Sequence, residues 1–304
     1  MRRRLSNIAP LVLVVVGLAI LLYPTISNFL IERNASRAVE RYSEAVDAMS
    51  DEEAQAILDA AHEYNAALAL RAGAVSSGEA SGPSASPEEQ SALLERYDEV
   101  LNLDGDGMMG YISIPRIDVT LPIYHGVEEK VLQQAVGHLE ETSLPVGGAS
   151  THAVLSGHRG LPSAKLFTDL DQLREGDRFY IRVLKETLAY QVDGIETVLP
   201  TEVDSLAIRA GEDRVTLVTC TPYGINSHRL LIHAHAIPYT PDMEDEVGKP
   251  GSFINIPLPY LLLVIALAVL AVVFAVLRHR QRRDARESRS SDGHASGRGG
   301  SHFA

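Results

Sequence analysis

The chain has 304 residues, 45% hydrophobic and 22% charged, with a net charge of -13 and a single cysteine. Such a composition supports a sizeable folded core and excludes disordered and collagen-like chains. One thiol excludes an intramolecular disulfide framework and a cysteine-based zinc cluster, and the acidity argues against a nucleic-acid binder, which needs clustered Lys and Arg.

Residues 1–7 form a basic end with Arg2, Arg3 and Arg4. No charge follows until Glu32, and the apolar run Leu11–Leu22 lies inside that stretch. A transmembrane anchor over 8–31 is expected, since about 20 apolar residues cross the hydrocarbon as a helix. A cleaved signal peptide is the alternative, although Tyr23–Ile31 offers a poor cleavage site. A second uncharged stretch between Lys249 and Arg278 holds Tyr260–Leu277. It predicts a linker over 241–255 and a second transmembrane helix over 256–277, against the alternative of a buried core helix. The tail 278–304 carries seven Arg against three carboxylates and reads as a disordered anchor able to meet lipid headgroups. Basic residues outside both spans place both termini in the cytoplasm and the acidic middle outside the cell membrane.

Within that middle, 32–100 begins helically. Ala35, Val39, Tyr42, Val46 and Met49, then Ala54, Ile57, Leu58, Ala61, Tyr64 and Leu68, recur at spacings of three and four, with Asp51, Glu52 and Glu53 after Ser50. Two amphipathic helices are expected. Residues 72–87, rich in Gly, Ser, Ala and Pro, read as a mobile loop, with a short third helix over 88–100. Over 101–240 the texture changes to β-branched runs beginning at Gly110, Val119, His152, Arg178, Leu188, Ile195, Arg214 and Arg229. Eight strands so closely spaced suggest a closed barrel or sandwich, interrupted by short helices over 132–139 and 165–173.

The chemistry concentrates in three residues. Cys220 ends the apolar strand Val215–Thr219 and precedes the turn signal Thr221-Pro-Tyr-Gly. A thiol at a strand end is held rigidly yet approachable, and it attacks as thiolate, so a nearby cation must favour its ionisation. His158, in Leu155-Ser-Gly-His-Arg-Gly-Leu-Pro162, and Arg229, which starts the strand after Cys220, are the candidate partners. Each residue alone has an ordinary reading: a buried thiol, a turn histidine, a surface cation. His125 and His138 are alternatives to His158 as general acid. Asp104-Gly-Asp-Gly begins like a calcium loop but has no Glu at the required position, which favours a turn. His233-Ala-His235 puts two imidazoles on one strand face without a clear third ligand, which favours ordinary strand residues over a metal pair.

Thr216-Leu-Val-Thr-Cys220 with Arg229 nine residues on resembles the Thr-Leu-x-Thr-Cys signature and downstream Arg of sortases, and Ser156-Gly-His158-Arg-Gly resembles their His segment. Around these, Asp104–Pro115, Leu121–Gly126, Val136–Leu139 and Ser143–Gly148 look like the pilus-assembling class C of Gram-positive bacteria. The resemblance spans about residues 35–240. It implies a mainly β protein: an eight-stranded sortase β-barrel with N-terminal helices, flanked by two transmembrane helices. It implies a cysteine transpeptidase, without cofactor or metal, that cleaves Leu-Pro-x-Thr-Gly-like sorting signals. Cys220 would be the nucleophile that forms the thioester, His158 the general acid and base, and Arg229 the oxyanion or substrate-positioning group. The partners implied are pilin subunits, joined through a Lys amine. The alternatives are a housekeeping sortase that attaches proteins to the cell wall and a noncatalytic anchored adhesion or sensor domain. One departure is plain: class C sortases usually carry an Asp-Pro-aromatic lid over the cysteine, and 77–86 holds no such triplet, Gly82-Pro83 being its only vestige.

Overall fold

The computed structural model describes residues 2–74 and 87–247, together with 266, 267, 274 and 283. Met1–Phe253 form one compact unit and Ile254–Ala304 a second, in which the four described residues are helical. The expected loop core at 75–86 and most of the expected helix 256–277 lie outside the described residues.

Helix α1 (Arg2–Ala48) runs without a break through the expected boundary at residue 31. Side chains bridge that seam at one-turn spacing: Asn28 donates to the Glu32 carboxylate at 2.8 Å and Ser36 to the Glu32 carbonyl at 2.9 Å. Among the described residues no helix is long and apolar enough to cross a membrane. Helix α2 (Asp51–Arg71) starts at the expected place, with Ser50 and Glu53 forming a reciprocal capping box that satisfies two orphan N–H groups. Helix α3 (Pro87–Leu94) is shorter than the expected 88–100 and gives way to turns.

Eight strands follow: β1 (Met108–Ile114), β2 (Val119–His125), β3 (Val136–His138), β4 (Thr151–Ser156), β5 (Arg178–Val183), β6 (Glu186–Val198), β7 (Asp213–Thr221) and β8 (His228–Ile237). They close into a barrel in the order β1-β2-β3-β4-β7-β8-β6-β5, with β2/β3 and β4/β7 parallel. Closure leaves no free sheet edge. The interior is apolar, with Ile112, Phe179, Leu155, Leu217 and Ile232 fully buried.

The number of strands matches the expectation, but two of its parts are corrected. The runs at Leu188 and Ile195 belong to one long strand, because Asp193-Gly194 is a bulge in the pairing with β8 and not a turn. The place of the eighth strand is taken by β3, inside the segment expected to be helical: helix α4 spans only Glu129–Leu132. Gly137 explains the switch, since a Cβ there would lie 2.3 Å from the Gly126 carbonyl oxygen, so only glycine permits this close approach to the β2 end. The helix expected over 165–173 is reduced to a 3-10 turn at Leu170–Gln172, because the loop preceding it is tied to the site described below.

The helices are bolted to the barrel by polar contacts that leave no buried polar side-chain atom unpartnered among the described residues. Tyr42 donates to the Met109 carbonyl at 2.9 Å and accepts from Leu184 N at 2.8 Å; Asn65 exchanges two hydrogen bonds with the backbone of Leu144.

Candidate active site

Side chains alternate between the two faces of a strand. On β7, Val215, Leu217 and Thr219 face the barrel interior, so Thr216, Val218 and Cys220 face outward. On β8, Leu230, Ile232 and Ala234 face inward, which turns Arg229, Leu231 and His233 outward. The register pairs Cys220 directly with Arg229. Directly opposed residues share one face with Cβ atoms about 5 Å apart, so the thiol and the guanidinium stem are neighbours on the outer wall.

His158 comes to the same rung through β4. This strand runs parallel to β7, with Ser156 opposite Val218. Beyond it Gly157 N donates to the Val218 carbonyl at 3.0 Å, and the Thr219 hydroxyl donates to the Gly157 carbonyl at 2.7 Å. The ladder therefore extends one residue past the strand and delivers His158 beside the end of β7. Glycine is required at 157: a Cβ would meet the buried Phe167 ring at 2.6 Å.

All three groups are accessible. Cys220 and Arg229 are half-buried, and the His158 side chain is 24% exposed. Among the described residues Cys220 makes no side-chain hydrogen bond. Arg229 donates to the carbonyls of Asn226 at 3.4 Å and His228 at 3.1 Å, within its own loop. His158 Nε2 lies 3.3 Å from the Glu129 carboxylate, which is held below the usual carboxylate range by Gln133 and by His158 itself. The thiol, the imidazole and the guanidinium are thus only lightly committed within the fold.

The alternative histidines are placed elsewhere. His138 is fully buried, with Nδ1 against the Tyr97 hydroxyl at 2.9 Å and Nε2 against the Ser143 carbonyl at 2.8 Å, and burial lowers its pKa to about 4. His125 directs both ring nitrogens at carbonyls, Gly107 and Val100, each at 2.9 Å. Neither imidazole has a nitrogen to offer a substrate. His233 and His235 engage separate carboxylates of β6, Glu196 at 2.9 Å and Asp193 at 3.0 Å. Among the described residues no three His, Cys, Asp or Glu converge as a metal site. Asp104–Gly107 form a turn, in which Asp106 accepts from Met108 N at 3.0 Å.

Two rungs below Cys220 the outer face holds a closed polar chain. His152 Nδ1 donates to the Ala207 carbonyl at 3.1 Å, and burial holds its pKa near 4, so Nε2 is the acceptor. The Thr216 hydroxyl donates to it at 2.7 Å and lies 2.8 Å from His233 Nδ1, and His233 Nε2 lies 2.9 Å from the Glu196 carboxylate. Sequence reasoning missed this chain, and it missed Glu129, Asp171 and Thr221 as neighbours of the site, because their spacing in sequence carries no periodic signal. Arg159 was legible only as part of the segment around His158. A separate groove of about 690 Å³ lies between α1 and β2, lined by Arg37, Arg41, Glu44 and Tyr124 among others, and includes none of the three site residues.

The closed mixed barrel thus brings a Cys, a His and an Arg to one outer rung, a set of side chains suited to nucleophilic chemistry. The sortase domain family matches residues 112–237. Sortase C1 of Streptococcus agalactiae is 46% identical, with a TM-score of 0.59 over 67% of this chain and 100% of that one. The sortase C of Streptococcus pneumoniae, described with respect to catalysis and pilin substrate specificity, is 41% identical with a TM-score of 0.55, over 67% and 98% of the two chains. Sortase A of Streptococcus agalactiae is 30% identical over 149 residues, 48% of this chain and 55% of its own length, so the chain spans about half of that curated relative. The chain belongs to the sortase family, and two of these likenesses are to structures of sortase C.

Proposed function

We propose that this protein is a membrane-anchored class C sortase that cleaves Leu-Pro-x-Thr-Gly-like sorting signals and joins pilin subunits at the surface of a Gram-positive cell. The observation that carries the reading is the rung itself, Cys220 opposite Arg229 with His158 delivered beside it by the extended β4 ladder.

Cys220 thiolate attacks the Thr carbonyl carbon of the sorting signal. Arg229 donates hydrogen bonds to the developing oxyanion, a contribution of about 10²- to 10³-fold if it acts like other oxyanion donors. As the tetrahedral centre collapses, the Thr–Gly C–N bond breaks, and His158 imidazolium gives its proton to the leaving Gly amine. The chain is left as a thioester on Cys220. An incoming Lys amine then attacks the thioester carbonyl, His158 takes its proton, and the thiolate leaves as the isopeptide forms. Two transmembrane spans, over 8–31 and 256–277, would keep the acyl-enzyme beside membrane-tethered pilins and so raise the effective concentration of acceptor. The apolar runs support that anchoring. The likeness to class C structures, one of them concerned with pilin substrates, supports pilus assembly over cell-wall attachment.

The test is acceptor choice. The full-length chain is incubated with a sorting-signal peptide and either a Lys-containing peptide or a Gly-based amine, and products are sequenced by mass spectrometry. An isopeptide to the Lys side chain supports pilin joining; efficient transfer only to the Gly amine would give the housekeeping role.

A further inference from the structure

Immediately after His158 stands a cation that the mechanism above does not use. The Arg159 side chain is only 10% exposed, and its guanidinium binds three residues on two separate pieces of chain. Nε donates to the Thr168 carbonyl at 3.1 Å, Nη1 donates to the Thr221 hydroxyl at 3.2 Å, and Nη2 pairs with the Asp171 carboxylate. Thr221 directly follows Cys220, and Thr168 and Asp171 belong to the loop that returns from His158. That loop is bound back at two more points: Phe167 N donates to the His158 carbonyl at 3.1 Å, and Gly160 N donates to the Thr168 hydroxyl at 3.3 Å. Across the same gap the Tyr223 ring lies over Gly160, within 3.1 Å of where a Cβ would stand.

We infer that Arg159 is a positioning residue for transpeptidation: its guanidinium straps the His158 loop to the end of β7 and so sets the separation of the imidazole from the Cys220 thiol. The inference rests on the sortase reading. Below the rung, the β4–β7 ladder fixes the two segments up to Gly157 and Thr219. Above it Arg159 is the side chain that hydrogen-bonds across to the end of β7, beside the packing of the Tyr223 ring over Gly160. A planar fork suits this task because three directed donors define an orientation, whereas a Lys ammonium is a point charge on a flexible stem. Asp171 fixes the fork from the solvent side, and Thr221 receives it at the nucleophile. The strap touches neither the thiol nor the imidazole, so it acts on their geometry; a displacement of about 1 Å can cost about 10²-fold in rate.

The experiment uses the full-length chain with Arg159→Lys, Arg159→Ala, Thr221→Val and Thr221→Ser. Two quantities are read: the kinetics of acyl-enzyme formation from a sorting-signal peptide, and the pH profile of Cys220 alkylation by iodoacetamide, which needs no substrate. The expected result is a fall in kcat of about 10- to 100-fold in both Arg159 variants with KM changed less than about threefold. Thr221→Val loses about 3- to 10-fold, as for one lost hydrogen bond, and Thr221→Ser, which keeps the hydroxyl, recovers most of it. The alkylation profile of Arg159→Lys moves toward that of His158→Ala. Wild-type kcat in Arg159→Lys, a loss of kcat that only follows the unfolded fraction, or Thr221→Ser no better than Thr221→Val, would overturn the strap. If the wild-type chain forms no acyl adduct, the sortase reading fails, and the alkylation profile decides the strap alone: a shift in Arg159→Lys supports it and an unchanged profile overturns it.

Discussion

Two rungs of the same outer wall, four residues apart along β7, have opposite characters. At the lower rung His152, Thr216, His233 and Glu196 run from strand to strand with each hydrogen bond spoken for. At the upper rung, among the described residues, His158 has one hydrogen bond with an exposed carboxylate and Arg229 has its own loop carbonyls. The residue types overlap, since each rung has an imidazole beside an outward-facing side chain of β7. What differs is completion. A satisfied network rigidifies the wall, and an unsatisfied set at its end, held in place by that rigidity, has capacity left for a substrate.

The contrast can be broken most severely at the upper rung. Cys220→Ala is expected to abolish acyl-enzyme formation, and His158→Ala to lower its rate by about 10²- to 10⁴-fold without change in melting temperature, as read by single-turnover kinetics and thermal denaturation. Arg229→Ala is expected to lose about 10²- to 10³-fold, with Arg229→Lys recovering only part of it. Equal activity of the Lys variant would show that charge, not directed donation, is what the site needs.

The lower rung should fail differently. Thr216→Val keeps the shape but leaves a nitrogen of His152 and one of His233 without a partner, at a cost of about 1–3 kcal/mol in urea unfolding. Acylation per folded molecule should stay at the wild-type rate; a selective loss of rate would mean that the two rungs are one network.

Acidity sharpens the distinction between buried and accessible histidines. Burial lowers the pKa of His138 and His152 to about 4, against about 6.5 unfolded. Between these values the unfolded chain binds the protons, so stability is complete above pH 6.5 and is lost as the pH falls toward 4, by up to about 3 kcal/mol for each residue. Unfolding free energies at pH 7.5 and pH 4.5 measure the loss directly, and equal values would contradict the assignment of both imidazoles as neutral. The smallest effect is expected at the loop. Deleting residues 74–87, which lack the Asp-Pro-aromatic triplet, should change peptide hydrolysis little, whereas a large increase would reveal a closing lid after all.

How much of this was legible in the sequence depends on the range of the interactions concerned. Strand β5 and the capped start of α2 follow from neighbours within a few residues, and both fall where periodicity and the Ser50–Glu53 box place them. The bulge at Asp193 and strand β3 were misread because each is decided by a distant partner: β8 keeps β6 continuous, and the β2 end accepts Gly137 where a helix was expected. The three candidate residues were found through local signatures, Thr-Leu-Val-Thr-Cys and Ser-Gly-His-Arg-Gly. The supports around them, Glu129, Asp171, Thr221 and the His152–Thr216–His233 chain, are brought together only by closure of the barrel, so no pattern in the chain announces them.

The proposed function requires the upper rung to perform covalent chemistry through Cys220. Intact-mass measurement of the full-length protein with a Leu-Pro-x-Thr-Gly peptide tests it most directly. The expected result is an adduct of the peptide lacking its terminal Gly, sensitive to hydroxylamine, localised to Cys220 and absent from Cys220→Ala. An intact Cys220 in every spectrum, with several sorting peptides and with residues 74–87 removed, would contradict it and favour a noncatalytic surface domain.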